Sequence, residues 1–338
     1  MAEKQVIMDV RNLTKWFPIK RGLTLKTVGN VKAVDDVSFQ VYEGETLGLV
    51  GESGCGKTTL VRSMLRLTEP TGGEIYYKGE DFRKLEKNEL KAKRRDVQIV
   101  FQDPFGSLHP KMRVRTILEE PLIINHYGDK EKRLERVKEL MGLVDLKEEQ
   151  LDRFPHEFSG GQRQRIVIAR ALATNPGFVV CDEPVSALDV SVRSQVLNLL
   201  KDLQRDLNLT YLFISHDLSV IEYICDRVVV MYLGKVVELA SSDQLFKEPK
   251  HPYTQALLSA VPQVRPRENA EKIPLEGDIP SPANPPSGCY FHGRCRYCAE
   301  ECRTKAPVLR DIGDGHLVAC HLAAAGQGVS SMPGIKGE

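Results

Sequence analysis

The stretch Gly51-Glu52-Ser53-Gly54-Cys55-Gly56-Lys57-Thr58-Thr59 has the residue types and spacing of a phosphate-binding loop. Its glycines let a tight turn aim backbone N–H groups at anionic oxygens, and a helix starting behind it adds partial positive charge. Gly51, Ser53, Gly54, Cys55, Gly56, Lys57, Thr58 and Thr59 then line the cradle. Lys57 is placed to reach the β- and γ-phosphates of a nucleotide, and the Thr58 hydroxyl to ligate Mg²⁺. A Gly-rich corner with no ligand is the plain alternative. The strand Thr46–Val50 before the loop and the helical run Leu60 to about Leu67 after it favour the phosphate reading.

Three further positions stand at the carboxyl ends of apolar, strand-like runs, where open α/β sheets bind ligands. Gln102 follows Val97–Phe101, and its side-chain carbonyl could ligate Mg²⁺ and orient water. Asp182 and Glu183 follow Gly177–Cys181. Two adjacent carboxylates at the end of a buried strand are costly without a cation or a task. Asp182 suits Mg²⁺ binding, directly or through water, and Glu183 suits a general base for the water attacking a γ-phosphate. His216 follows Thr210–Ile214 and is read as a γ-phosphate contact rather than as a surface histidine. Ser159-Gly160-Gly161-Gln162 opens another helix. Serine with glutamine three residues on is a capping box, and the bare glycines leave N–H groups for a second anion. Phe17, beside Trp16, could stack on an adenine ring or pack on a sheet.

The elements that must hold these residues alternate between two periods. Residues 6–13 and 37–42 alternate apolar with polar and predict strands covered on one side. Further strands are expected over 74–77, 226–232 and 235–240, the last two closing the sheet around Leu233-Gly234-Lys235. The Lys91–Arg95 charge run reads as a solvated helix face. Helical spacing without a strand fills 114–152 and predicts an all-α insertion, and Ser186–Asp189 turns the chain into a helix over 191–207. Prolines at 262, 266, 274, 280, 282, 285 and 286 predict an extended linker, and the residues from Gly326 a disordered tail.

The chain has 338 residues, room for about two domains. A net charge of +1, from 47 basic and 46 acidic residues, argues against a broad electrostatic grip on nucleic acid. Without a long apolar run or a signal-like start, the chain is expected to be cytosolic and soluble by itself. Eight cysteines in a reducing compartment predict metal binding where they cluster. Cys289, Cys295, Cys298, Cys302 and Cys320 do cluster, with His321 adjacent. Four thiolates suit zinc or an iron–sulfur cluster, and spacing does not choose between them. Cys55, Cys181 and Cys225 read as buried fillers.

Taken in order, the phosphate loop, Gln102, Ser159–Gln162, Asp182-Glu183, Asp189 and His216 resemble the nucleotide-binding subunit of an ABC transporter over residues 5–240. The resemblance implies an α/β fold: a P-loop ATPase core over 1–240 with an antiparallel β subdomain and an α-helical subdomain at about 103–172. It further implies two ATP molecules held between two such subunits, the phosphate loop of one facing Ser159–Gln162 of the other. Glu183 is then the base, His216 holds the γ-phosphate, Asp189 joins the nucleotide contacts, and Phe17 stacks on adenine. Phe158 stands where the family usually has leucine.

Lys250-His251-Pro252-Tyr253-Thr254-Gln255-Ala256-Leu257-Leu258 resembles the hallmark of oligopeptide- and dipeptide-importer ATPases; its bare reading is an amphipathic helix begun by proline. That narrower resemblance makes 241–288 C-terminal helices and linker, 289–322 a cysteine-rich metal-binding extension, and 323–338 a tail. It points to Cys289, Cys295, Cys302 and Cys320 as ligands of a 4Fe-4S cluster, with Zn²⁺ as the alternative and Cys298 as an extra. The implied partners are a sister ATPase in a heterodimer, suggested by Phe105 and Gly106-Ser107-Leu108, and two transmembrane permease subunits met by the segment after Gln102. An extracytoplasmic solute-binding protein is linked indirectly, no nucleic acid is involved, and the location is the cytoplasmic face of the cell membrane. Rival readings are a soluble ABC-type ATPase acting on nucleic acid or ribosomes, and an ATPase regulated by metal or redox sensing.

Overall fold

The computed structural model describes residues 5–22, 25–260 and 273–323. In chain order come β1 (Val6–Arg21), β2 (Lys26–Tyr42), β3 (Thr46–Val50), α1 (Lys57–Met64), β4 (Gly72–Tyr77), β5 (Glu80–Asp81), α2 (Lys87–Lys93) and β6 (Val97–Val100). The helices α3 (Pro104–Ser107), α4 (Val114–Ile124), α5 (Lys130–Leu143) and α6 (Gly160–Leu172) follow. Alternation then resumes with β7 (Phe178–Asp182), α7 (Val190–Leu207), β8 (Thr210–Ile214), α8 (Leu218–Ile224), β9 (Arg227–Tyr232) and β10 (Lys235–Ser241). The last elements are α9 (Ser242–Lys247), α10 (Pro252–Ser259), α11 (Glu300–Thr304), β11 (Arg310–Asp311) and β12 (Leu317–Val318). Two compact units result, one of Met1–Ile7, Val41–Thr46 and Lys84–Ile214, the other of Met8–Gln40, Leu47–Arg83 and Ser215–Glu338.

In the first unit β6, β7 and β8 pair in parallel, with Cys181 opposite Val100 on one side and Phe213 on the other. β8 is buried throughout and β7 nearly so, hence their continuous apolar runs. On α7 the buried Val196, Leu199, Leu200 and Leu203 recur at helical spacing and make one face apolar, and the Tyr211 hydroxyl donates to the Leu200 carbonyl. The insertion is helical as expected. α4, α5 and α6 pack on one another through Val114, Ile117, Leu118, Val137, Leu140 and Met141, all buried.

The second unit holds an antiparallel sheet in the order β2-β1-β4-β5. β1 runs on to Arg21, beyond the expected 6–13. A bulge after Arg11 lets its pairing with β4 resume at Thr14, and Trp16 N–H then donates to Thr71 Oγ1. β3 lies parallel to β9, and β9 antiparallel to β10. The pair β9–β10 does not close the sheet that holds β3, a different one from β2-β1-β4-β5, because β12 adds to β10 with Glu238 opposite Val318, and β11 adds to β12. The buried Glu238 carboxylate explains the addition. It accepts the Lys250 and His251 N–H groups at 2.7 and 3.0 Å, and His316 Nε2 lies 2.7 Å away. A buried carboxylate with this many partners ties three segments together.

Residues 273–288 carry no helix or strand, in keeping with the proline spacing. The rest of the expected linker, 262–272, and the tail from Gly326 lie outside the described residues. Among the described residues no helix is long and apolar enough to cross a membrane.

Candidate functional site

Gly51 and Gly56 show why the loop needs glycine. Gly51 has φ 152°, and a Cβ there would lie 2.2 Å from the Met231 carbonyl oxygen. Gly56 has φ 107°, and its Cβ would lie 2.1 Å from the Ala33 carbonyl oxygen. Backbone crowds both positions, so no side chain fits. Lys57 is the first residue of α1 and folds its ammonium into the loop, donating to the Gly51 carbonyl at 2.7 Å and the Glu52 carbonyl at 3.1 Å. Burial pushes the Cys55 thiol pKa up, against the pull of the Lys57 charge. No acidic residue occupies the first turn of α1, so the positive end of its dipole is unopposed there.

Two features not expected from the sequence brace this loop. The Glu52 N–H donates to the Tyr253 hydroxyl at 2.8 Å, and the Glu52 carboxylate takes both Nη groups of Arg294, at 2.7 and 3.1 Å. His251 caps α10, its Nδ1 accepting the Tyr253 N–H at 3.0 Å, which makes each of His251, Pro252 and Tyr253 structurally specific. The amphipathic period of α10 was legible, but a ring hydroxyl aimed at a distant loop leaves no local trace.

Phe17 is 40% exposed with Lys15 Nζ 4.9 Å above its ring. Trp16 is tied down by its Nε1–H to Asp35 at 3.2 Å. The two neighbouring rings therefore differ in environment, Phe17 being exposed and Trp16 half-buried. His216 is exposed after β8, and Asp217 caps α8 by accepting the Ser219 N–H.

In the first unit, Glu183 and Gln102 come together: Gln102 Nε2 donates to Glu183 Oε2 at 2.9 Å. Glu183 has φ 48°, and its N–H donates to the Ile214 carbonyl at 3.0 Å. Asp182 ends β7 opposite Ile214. The capping box is present, with Gln162 N–H donating to Ser159 Oγ at 3.3 Å and Ser159 N–H to Gln162 Oε1 at 3.1 Å. Ser159 is exposed while Phe158 before it is buried. A Cβ on Gly161 would strike Val192 Cγ1 at 2.3 Å, whereas one on Gly160 meets only Leu188 at 3.6 Å. Asp189 is exposed at the N-cap of α7.

Cys289, Cys295, Cys302 and Cys320 line one small cavity of the second unit with Phe291 and His321. Cys298 is not in that lining; its Sγ faces the Ala299 carbonyl at 3.6 Å. Burial, helped by the neighbouring sulfurs and opposed by backbone N–H groups, pushes the Cys289 thiol up to about 11 and Cys295 up to about 12. A cation among them would reverse that shift by favouring thiolate. Among the described residues no three His, Cys, Asp or Glu side chains are arranged as a site for a single metal ion. Cys55, Cys181 and Cys225 are buried, as expected.

Residues 34–186 match the ABC transporter family model, and residues 237–302 match that of the oligopeptide/dipeptide transporter C-terminal region. The oligopeptide transport ATP-binding protein AppF of Bacillus subtilis is 52% identical over 324 residues, 95% of this chain and 98% of that protein. The dipeptide transport ATP-binding protein DppF of Escherichia coli is 54% identical over 317 residues, 94% of each. Among solved structures, the dimeric post-hydrolysis state of the ATP-binding cassette MJ0796 bound to ADP and Pi is similar at TM-score 0.61 and 31% identity. It covers 70% of this chain and 98% of its own. The chain therefore belongs to the ATP-binding subunits of oligopeptide- and dipeptide-type ABC transporters.

Proposed function

We propose that this subunit binds and hydrolyses MgATP to drive the import of peptides or related small solutes through membrane permease subunits. The observation that carries the hydrolytic part is the pairing of Glu183 with Gln102 at the carboxyl end of a buried strand. A carboxylate there, oriented by an amide, can accept the proton of the water that attacks the γ-phosphate. Lys57 and the N–H groups of Ser53 to Thr59 hold the phosphates, Phe17 stacks on adenine, and His216 contacts the γ-phosphate. Thr58, Gln102 and Asp182 offer the hydroxyl, amide and carboxylate oxygens that a hard cation prefers. Mg²⁺ held by such oxygens would supply charge neutralisation for the transferring phosphoryl group.

Ser159–Gln162 and Asp189 complete the nucleotide site of a second ATPase subunit, a sister of this chain. The exposure of Ser159 and Asp189 supports that reading. Phe105, 63% exposed beside Gln102 and under the Arg163 guanidinium, supports a contact of that segment with a permease at the cytoplasmic face of the membrane. In the cysteine extension, Cys289, Cys295, Cys302 and Cys320 hold a 4Fe-4S cluster. Their shared cavity supports four ligands, the number of thiolates that such a cluster takes. Bound by those cysteines, the cluster would cross-link a segment with little core of its own, around Val318, Cys320 and Ala323.

The decisive variant is Glu183→Gln, an isostere that cannot take a proton. It is expected to bind ATP normally while steady-state phosphate release falls by about 10² or more. Turnover near the wild-type rate would remove Glu183 from the role.

A further inference from the structure

A glutamate in a loop built for a triphosphate poses a charge problem. ATP carries several negative charges to Gly51–Thr59, and a free carboxylate at position 52 would repel them. Glu52 is not free. Arg294, on the segment between Cys289 and Cys295, forks onto both its oxygens, and its Nη1 also lies 3.5 Å from the Tyr232 hydroxyl. The Arg294 side chain is 6% exposed and that of Glu52 21%. Arg294 Nε is buried without a hydrogen-bond partner. Burying a guanidinium with one N–H unsatisfied is a poor way to fill space, so its placement answers to the carboxylate.

The pair stands on an aromatic platform drawn from three segments. Tyr232 of β9, Tyr253 of α10 and Phe291 of the cysteine segment have ring centroids 4.7, 5.2 and 5.4 Å apart, and all are buried. Tyr253 also takes the Glu52 N–H. The first turn of the phosphate loop is thus held at its backbone by α10 and at its side chain by the cysteine segment.

We propose that Arg294 is a positioning residue of the nucleotide site. It neutralises the Glu52 carboxylate at the entry of the phosphate loop, so the cysteine segment must be folded for ATP to bind at full affinity. The proposal rests on the reading of Gly51–Thr59 as the ATP site.

Titration of the full chain with a fluorescent ATP analogue in the presence of Mg²⁺ tests it. Arg294→Met is expected to weaken binding about tenfold, the penalty of an uncompensated carboxylate. The double variant Arg294→Met with Glu52→Gln is expected to return to within about threefold of wild type, because no charge is left uncompensated. A role limited to packing would not be rescued by that second change. Higher salt should narrow the gap between Arg294→Met and wild type by screening the repulsion. Glu52→Gln alone keeps Arg294 and is expected to bind at least as tightly as wild type, which serves if Arg294→Met does not fold. Overturning results are Arg294→Met within twofold of wild type, a double variant no tighter than Arg294→Met, or Glu52→Gln weakened more than threefold. Failure of the wild-type chain to bind the analogue would instead sink the assignment of the ATP site.

Discussion

Glu183 sits at φ 48°, in the left-handed region, where a side chain costs about 1 kcal/mol. Strain of this kind persists where neighbours over-determine it, here through the bonds to Ile214 and Gln102. Glycines give the sharper test at this scale. Gly56→Ala would place Cβ against the Ala33 carbonyl, and backbone cannot step aside cheaply. It is expected to abolish nucleotide binding and cost about 2 kcal/mol or more, read as a lower melting temperature unresponsive to ATP. Gly160 and Gly161 are adjacent yet should differ. Gly161→Ala meets the stiff Val192 and should cost about 1–3 kcal/mol in chemical denaturation, while Gly160→Ala should stay within about 0.5 kcal/mol.

At the scale of elements, α10 depends on the neutral form of His251. Its Nδ1 must accept the Tyr253 N–H, which a protonated ring cannot do. Burial lowers its pKa from 6.5 to about 4, against the opposing pull of the Glu238 carboxylate. Between those values the unfolded chain binds more protons than the folded one, so stability rises with pH. The contribution is complete above pH 6.5 and is lost as pH falls towards 4, about 3 kcal/mol in all. His251→Asn keeps an acceptor at the cap but does not titrate. The difference in unfolding free energy between wild type and this variant should therefore shrink or change sign as pH is lowered from 7 to 5. A constant difference would mean that His251 is not buried in its neutral form.

At the scale of the whole molecule, the cysteine segment is expected to act beyond itself. Anaerobically purified protein should contain iron and acid-labile sulfide, and Cys302→Ser should lose both while Cys298→Ser keeps them. Zinc in place of iron would overturn the cluster. Through Arg294, Cys302→Ser should also weaken binding of the ATP analogue. That loss should largely disappear in a background where Arg294→Met and Glu52→Gln have already removed the pair.

How much was legible follows the range of each interaction. The phosphate loop, the capping box at Ser159 and the carboxylates at the end of β7 are local patterns, dictated by turn geometry, helix ends and the two-sided burial of parallel strands. The helical insertion and the buried fillers Cys55, Cys181 and Cys225 were likewise readable from period and surroundings. Contacts across hundreds of residues were not. Only the tertiary structure brings Arg294 to Glu52 and Tyr253 to the Glu52 N–H, adds β12 to β10, and leaves Cys298 out of the cavity that the other four cysteines line. Sequence by itself determined the local chemistry, because backbone sterics and side-chain type suffice for it. Packing decided which distant side chains satisfy one another's charges and hydrogen bonds, because burial makes any other arrangement costly.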